Sequence, residues 1–329
     1  MDDNFVAGFN KNRTVISPAQ TEPSGRISPI PVILGPTASG KTRLAARLAS
    51  EIGGEVISAD SRQVYRGMDI GTGKDLDSYT IEGKPVPVHL IDIADPGYEY
   101  NVYEFQRDFI KAWRSITEKG KVPVLCGGSG MYLEAVIKGY RLPDLPEDPG
   151  FLAELESRPV SELLPLYYAL CKPHNTTDTV EKERIIKAIR IAVQSSRHTE
   201  HDLPFPVLPF TIFGIKTDRE RLRRRITERL HDRIGQGMIR EVQNLLDSGI
   251  TPERLKRYGL EYKFVVLHLT GDLSLDEMTL HLNTAIHQFA KRQMTWFRKM
   301  ERQGIMIRWL EETLAEDEKI GIIRSKIGL

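Results

Sequence analysis

Ile30-Pro31-Val32-Ile33-Leu34-Gly35-Pro36-Thr37-Ala38-Ser39-Gly40-Lys41-Thr42 runs from a wholly apolar stretch straight into a glycine-bracketed turn that ends in Lys-Thr. Ile30–Leu34 has the composition of a strand buried on both faces. Gly35, Pro36, Thr37, Ala38, Ser39, Gly40, Lys41 and Thr42 match G-x-x-x-x-G-K-[ST] in full. Glycines at the ends of such a loop let backbone N–H groups curl inward into an anion nest. The helix that follows points its N-terminus at the same anion. Lys41 adds a mobile positive charge, and the Thr42 hydroxyl can hold a Mg²⁺ ion bridging phosphate oxygens. The motif identifies a phosphate cradle. It leaves open whether the phosphate is transferred, hydrolysed or lost as a leaving group.

Outward from the loop, Leu44, Ala45, Leu48, Ala49 and Ile52 recur at helical spacing, and Gly53-Gly54 ends the helix. Glu55–Ala59, Val88–Ile93 and Val122–Cys126 read as further strands, with a helix over Val102–Lys119 between the last two. This alternation predicts an α/β fold: a parallel sheet flanked by helices, of the P-loop NTPase kind. From Arg141 the texture changes. Pro143, Pro146 and Pro149 break the chain, and two helical patterns follow, Phe151–Cys171 and Thr179–Gln194. Val207–Ile215 returns as a strand, followed by a charged helix from Asp218, a helix over Met238–Asp247 and a long helix over Thr279–Gln303. The expected organisation is a flexible N-terminal tail at 1–28, an α/β core at 29–140 and an all-helical insertion at 141–205. The core then resumes at 206–310 with basic C-terminal helices, and 311–329 is a C-terminal tail.

A net charge of +1 excludes a generally basic nucleic-acid binder, so any such role needs local patches. Two are present. Lys216–Arg240 holds nine Lys or Arg against four Asp or Glu, and His281–Arg302 holds five against one. Charge alone favours a solvated helix face for both. Phe289 and Trp296, seven residues apart, read as core packing before base stacking. Cys126 and Cys171 have no C-x-x-C partner pattern, which argues against a disulfide framework or zinc site and suits a reducing cytoplasm. No apolar run approaches the length of a membrane span, and the first residues lack a secretion signal. A cytoplasmic monomer is expected.

Asp60, in Ser58-Ala59-Asp60-Ser61-Arg62-Gln63-Val64-Tyr65, sits where the second strand ends, the edge at which open α/β sheets bind ligands. It reads equally as a base or holder of a Mg²⁺ water, and as a helix N-cap.

Together these residues resemble the tRNA dimethylallyltransferase (tRNA isopentenyltransferase) family, bacterial type. Residues 35–42 and 58–74 look like its opening signature, and His89-Leu90-Ile91-Asp92 and Gly127-Gly128-Ser129-Gly130-Met131-Tyr132-Leu133 like its next blocks. Glu183-Arg184-Ile185-Ile186-Lys187-Ala188 and Phe289–Arg298 are similar to later segments, so the likeness covers about residues 30–310 in order. The resemblance implies transfer of the five-carbon group of dimethylallyl diphosphate to the exocyclic amine of the adenosine 3′ of the anticodon in tRNA. The loop then grips a leaving diphosphate with Mg²⁺ on Thr42, Asp60 takes the amine proton, and Arg229 grips the diphosphate from the opposite side, with Arg225 a weaker candidate. Ser129 stands where the family usually has Thr and supplies a hydroxyl near Asp60 or the amine. Asp60, Ser61, Arg62 and Gln63, and Glu183, Arg184, Ile185, Ile186 and Lys187, match tRNA-contacting segments, and the insertion matches a domain that clasps the anticodon stem-loop. Glu261, in Arg257-Tyr258-Gly259-Leu260-Glu261-Tyr262-Lys263, replaces a small residue at a tRNA-touching segment, and Lys172–Glu183 departs from the usual spacing. The rival readings are a small-molecule or nucleotide kinase using the same loop for ATP, a non-catalytic tRNA- or nucleotide-binding module, and a transferase acting on free adenine nucleotides.

Overall fold

The computed structural model describes residues 28–140, 148–170, 182–197 and 205–328. Residues 1–27 of the expected tail lie outside the described residues. So do Pro143, Pro146, Cys171 and most of the Lys172–Glu183 stretch.

In chain order, β1 (Ile30–Leu34) leads to α1 (Lys41–Glu51) and β2 (Gly54–Ala59). A 3-10 turn at Leu76–Tyr79 and the small hairpin of β3 (Thr80–Ile81) and β4 (Lys84–Pro85) precede β5 (Val88–His89). Then come α2 (Val102–Glu118), β6 (Val122–Gly127) and α3 (Gly130–Ile137). The insertion contributes α4 (Pro149–Ser157), α5 (Val160–Leu170) and α6 (Lys182–Arg197). The chain returns through β7 (Phe210–Lys216), α7 (Arg219–Gly235), α8 (Met238–Asp247), α9 (Pro252–Leu255) and α10 (Leu260–Leu269). It ends with α11 (Leu275–Arg302), β8 (Ile307–Glu311) and α12 (Glu316–Ile327).

Six strands form one parallel sheet in the order β5-β2-β6-β1-β7-β8. All five β1 residues are buried, as a central strand covered on both faces requires. One face packs on α2, α3 and α11 through Phe105, Phe109, Leu133 and Phe297. The other packs on α1 and α12 through Leu44, Leu48, Phe213 and Ile323. Helices α7 to α11 gather a third apolar cluster around Tyr258, Tyr262 and Val266, which also takes up Val64, Tyr65 and Met68 from the chain after β2. The insertion has a core of its own, built on Leu155, Leu163, Tyr167, Ile185 and Ile189.

Several expected elements differ in form, each for a physical reason. The strand expected over Val88–Ile93 stops at His89, because Leu90 and Asp92 take left-handed backbone (φ 64° and 56°) that no strand accommodates. The single helix expected over Phe151–Cys171 is two, because Arg158 precedes a proline and is held extended (ψ 141°). The long helix begins at Leu275, where Ser274 and Glu277 close a capping box. The C-terminal tail expected at 311–329 is corrected to structure: Glu311 ends β8, and Ile320, Ile323 and Ile327 of α12 form a buried stripe against the α1 face. Burying each isoleucine stabilises by about 1.5–3 kcal/mol. Among the described residues no helix is long and apolar enough to cross a membrane.

Candidate active site

Strands β2, β6 and β1 lie side by side, so the loops leaving their carboxyl ends meet at one edge of the sheet. There they border a cleft of about 940 Å³, closed on its other side by α7, α10 and α11.

The phosphate loop takes the curled form its glycines predict. Ala38 and Gly40 have left-handed backbone (φ 59° and 84°), and Thr37, Ala38, Ser39, Gly40, Lys41 and Thr42 line the cleft. Gly35 and Pro36 shape the loop from behind. A Cβ on Gly35 would stand 2.6 Å from Ser39 Oγ, and the Pro36 carbonyl accepts a 3.2 Å bond from Lys41 Nζ. Burial pushes the Lys41 ammonium below the usual lysine range, and the negative charge of Asp60 works against that shift. Ser39 Oγ is buried without a hydrogen-bond partner among the described residues. A buried hydroxyl in this state favours an acceptor oxygen arriving from a ligand.

Asp60 extends from β2 with one carboxylate oxygen accepting the Arg62 N–H at 2.8 Å. Ser129, the N-cap of α3, accepts the Ser61 N–H at 3.1 Å through its hydroxyl. The serine therefore braces the turn that carries Asp60. Gln63 donates to the Gly73 carbonyl at 3.0 Å, and Arg62 donates to the Arg257 carbonyl at 3.1 Å. Asp60 is not the N-cap of a helix; residues 61–64 form a turn.

Arg229 and Arg233 lie one turn apart on the face of α7 that meets the cleft. Arg229 pairs with Asp75 and lies 3.4 Å from both Thr37 Oγ1 and the Gly73 carbonyl. Arg225, the weaker candidate, is paired with Glu312. Glu261 faces Arg233 at 3.6 Å, and burial raises its carboxyl above the usual glutamate range. The departure noted in the sequence thus stands inside the arginine cluster.

Glu183 and Lys187 are exposed on α6, and the side chain of Arg184 lies outside the described residues. The side chains of Ile185 and Ile186 are buried in the insertion's own core. Cys126 is buried beside the loop, and burial pushes its thiol up to about 12, so it stays protonated.

Two residues with no role assigned from sequence organise the site. Gln293 of α11 accepts the Thr37 N–H at 2.8 Å and donates to the Gly128 carbonyl at 2.9 Å, tying the loops after β1 and β6 together. Its signal was present: Gln293 is the one polar member of the buried stripe Leu282, Ile286, Ala290, Phe297, Met300. Glu241 of α8 accepts the successive N–H groups of Asp69, Ile70 and Gly71 at 2.8, 2.7 and 3.0 Å. It pins the chain that leads to Gly73 and Asp75, and nothing local announces it.

A family model described as IPP transferase matches residues 63–300, and one described as isopentenyl transferase matches residues 28–85. The chain is 52% identical over 295 residues to tRNA dimethylallyltransferase 2 of Bacteroides fragilis, covering 90% of this chain and 96% of that one. It is 55% identical over 287 residues to tRNA dimethylallyltransferase 1 of Geotalea daltonii, covering 85% and 90%. The crystal structure of full-length tRNA isopentenylpyrophosphate transferase from Bacillus halodurans superposes with a TM-score of 0.65 at 33% identity, over 92% of this chain and 96% of that one. A eukaryotic dimethylallyltransferase acting on tRNA shares the fold (TM-score 0.73) at 24% identity, over 92% of this chain and 80% of that one. With the family model spanning most of the cleft and the curated relatives matched along nearly their whole length, the chain belongs to the IPP transferase family of tRNA dimethylallyltransferases.

Proposed function

We propose that this enzyme moves the dimethylallyl group of dimethylallyl diphosphate to the exocyclic N6 amine of the adenosine 3′ of the anticodon in tRNA. The allylic C–O bond breaks and its electron pair leaves with diphosphate. The N6–C bond forms, and the amine proton passes to the Asp60 carboxylate. The observation that carries this reading is the shared cleft: a cationic phosphate loop and a carboxylate with one oxygen not engaged by its own turn border the same space.

The loop amides, Lys41 and Arg229 hold the diphosphate and spread the charge that develops on it, which is where transition-state stabilisation is worth most. Ser129 keeps the Asp60 turn in place. The donor chemistry fits magnesium. Thr42 presents a half-buried hydroxyl in the cleft, and no cage of three His, Cys, Asp or Glu exists among the described residues. A hard cation here would take Thr42, phosphate oxygens and water, and would neutralise the leaving group when bound. The tRNA is gripped by Asp60–Gln63 at the cleft and by Glu183 and Lys187 on the insertion, with the basic face of α7 attracting the phosphate backbone.

The test is to incubate the enzyme with Mg²⁺, labelled dimethylallyl diphosphate and unmodified tRNA, with ATP and free AMP as parallel substrates. Label in tRNA at N6 of the adenosine 3′ of the anticodon is expected. Phosphoryl transfer from ATP without label in RNA would establish a kinase instead, and label in AMP alone would establish a nucleotide transferase.

A further inference from the structure

Asp75 occupies an unusual position for a carboxylate in a site that must accept a polyanion. One of its oxygens pairs with Arg229, and the other stands 3.9 Å from Arg233 Nη2. Both arginines and Asp75 line the same cleft as the phosphate loop. Arg229 also reaches to 3.4 Å from Thr37 Oγ1, so the pair sits directly beside the anion nest.

The carboxylate is placed there by construction. Glu241 pins residues 69–71 from below through three N–H groups. The Lys74 ammonium, 1% exposed, bonds the Tyr65 carbonyl at 2.7 Å and pairs with Asp69 and Asp92. Gly73 seats the loop so closely that a Cβ would fall 1.5 Å from Arg233 Nη2. Asp75 then turns back in left-handed backbone (φ 38°), a conformation that Asp, Asn and Gly tolerate better than other residues. The loop is fastened at both ends, and the carboxylate it delivers meets two guanidiniums.

We propose that Asp75 is a resident counter-anion for Arg229 and Arg233, which diphosphate must displace on entry and which reclaims the arginines as diphosphate leaves. This rests on the reading of the cleft as a diphosphate site. An incoming diphosphate gains the arginines only by breaking the Asp75 pair, so affinity for substrate and product is held down together. In return, the arginines stay ordered and desolvated groups stay paired between turnovers, where an unpaired buried charge would be costly.

The experiment is calorimetric titration of inorganic diphosphate into the full chain and into Asp75→Asn, with EDTA and with Mg²⁺. Asn keeps the left-handed turn and removes the charge, and Asp75→Gly does the same without an amide. Both variants are expected to bind diphosphate roughly 2- to 5-fold more tightly, the range of one partly exposed charge pair. Steady-state assays of both should show a lower KM for dimethylallyl diphosphate together with stronger product inhibition by diphosphate. Asp95→Asn removes the same charge from a surface pair with Arg66 and should change neither. Unchanged or weaker binding in both variants, with melting temperatures near that of the parent, would overturn the proposal. Weakening confined to the Mg²⁺ titration would make Asp75 a metal ligand and would also overturn it. Failure of the parent itself to bind diphosphate would overturn the functional reading, and this proposal with it.

Discussion

The two ends of the parallel sheet both bury charge, and they treat it in opposite ways. At the far end from the cleft, Glu55 on β2 is 2% exposed, with His89 Nε2 and Lys121 Nζ each at 2.7 Å and Lys119 Nζ at 3.5 Å. Its own burial would raise the carboxyl, but the bonds from Lys121 and His89 outweigh that and hold it down at about 2. At the cleft end, burial prevails: Lys41 is pushed down, Glu261 is pushed up and Ser39 Oγ lacks a partner among the described residues. One end is electrostatically complete. At the other, burial of Lys41 and Glu261 is not fully offset by their partners, which is the state expected of a site organised for a ligand that comes and goes. Charge burial alone therefore does not mark function; uncompensated burial does.

The largest effect that would sharpen this contrast is at Asp60. Asp60→Asn should lower the single-turnover rate by about 10²- to 10⁴-fold, the contribution of a general base, while leaving calorimetric diphosphate affinity near that of the parent. Equal loss of both would make Asp60 a structural or metal-holding residue. Next comes Lys41→Met, expected to lower kcat/KM by about 10²- to 10³-fold and to weaken diphosphate binding. The same variant should melt at or above the parent temperature, because it removes a charge the apo cleft does not fully compensate; a large drop would break the comparison.

Glu55→Gln should behave in the reverse sense. Activity is retained, but stability by denaturant titration falls by about 1–3 kcal/mol as Lys119 and Lys121 lose their buried counter-charge and His89 its carboxylate partner. The pH dependence follows from the depressed carboxyl. The Glu55 contribution is full above the ordinary value of 4.5 and is lost as pH falls from there through about 2. Denaturant midpoints measured down that range should fall more steeply for the parent than for Glu55→Gln. The smallest effect is on the insertion. Lys187→Ala should weaken tRNA binding a few-fold and reduce the slope of log affinity against log salt by about one, with diphosphate affinity untouched.

What the sequence made legible was local. The loop at Gly35–Thr42, its strand and helix, and Asp60 at a strand end are each encoded within a few neighbours. So is the stripe that buries α1. Helix α10 was not legible, since Leu260–Leu269 is apolar nearly all round and shows no helical period. Helix α12 was hidden by charges, although Ile320, Ile323 and Ile327 carry helical spacing. The pairing of Arg229 with Asp75 spans 154 residues, and Gln293 reaches Thr37 across 256, so no window of sequence contains either. Composition of the arginine-rich helix favoured a solvated face. The family resemblance singled out Arg229, and its contacts with Asp75 and the Gly73 carbonyl show what its position in the fold is.

The most direct test of the account is a crystal structure with Mg²⁺ and a thio-linked, unreactive dimethylallyl diphosphate. The account predicts the diphosphate within hydrogen-bond reach of the amides around Lys41 and of Arg229, the allylic carbon facing Asp60, and Asp75 parted from the arginine. A diphosphate bound elsewhere, or an allylic carbon directed away from Asp60, would contradict it.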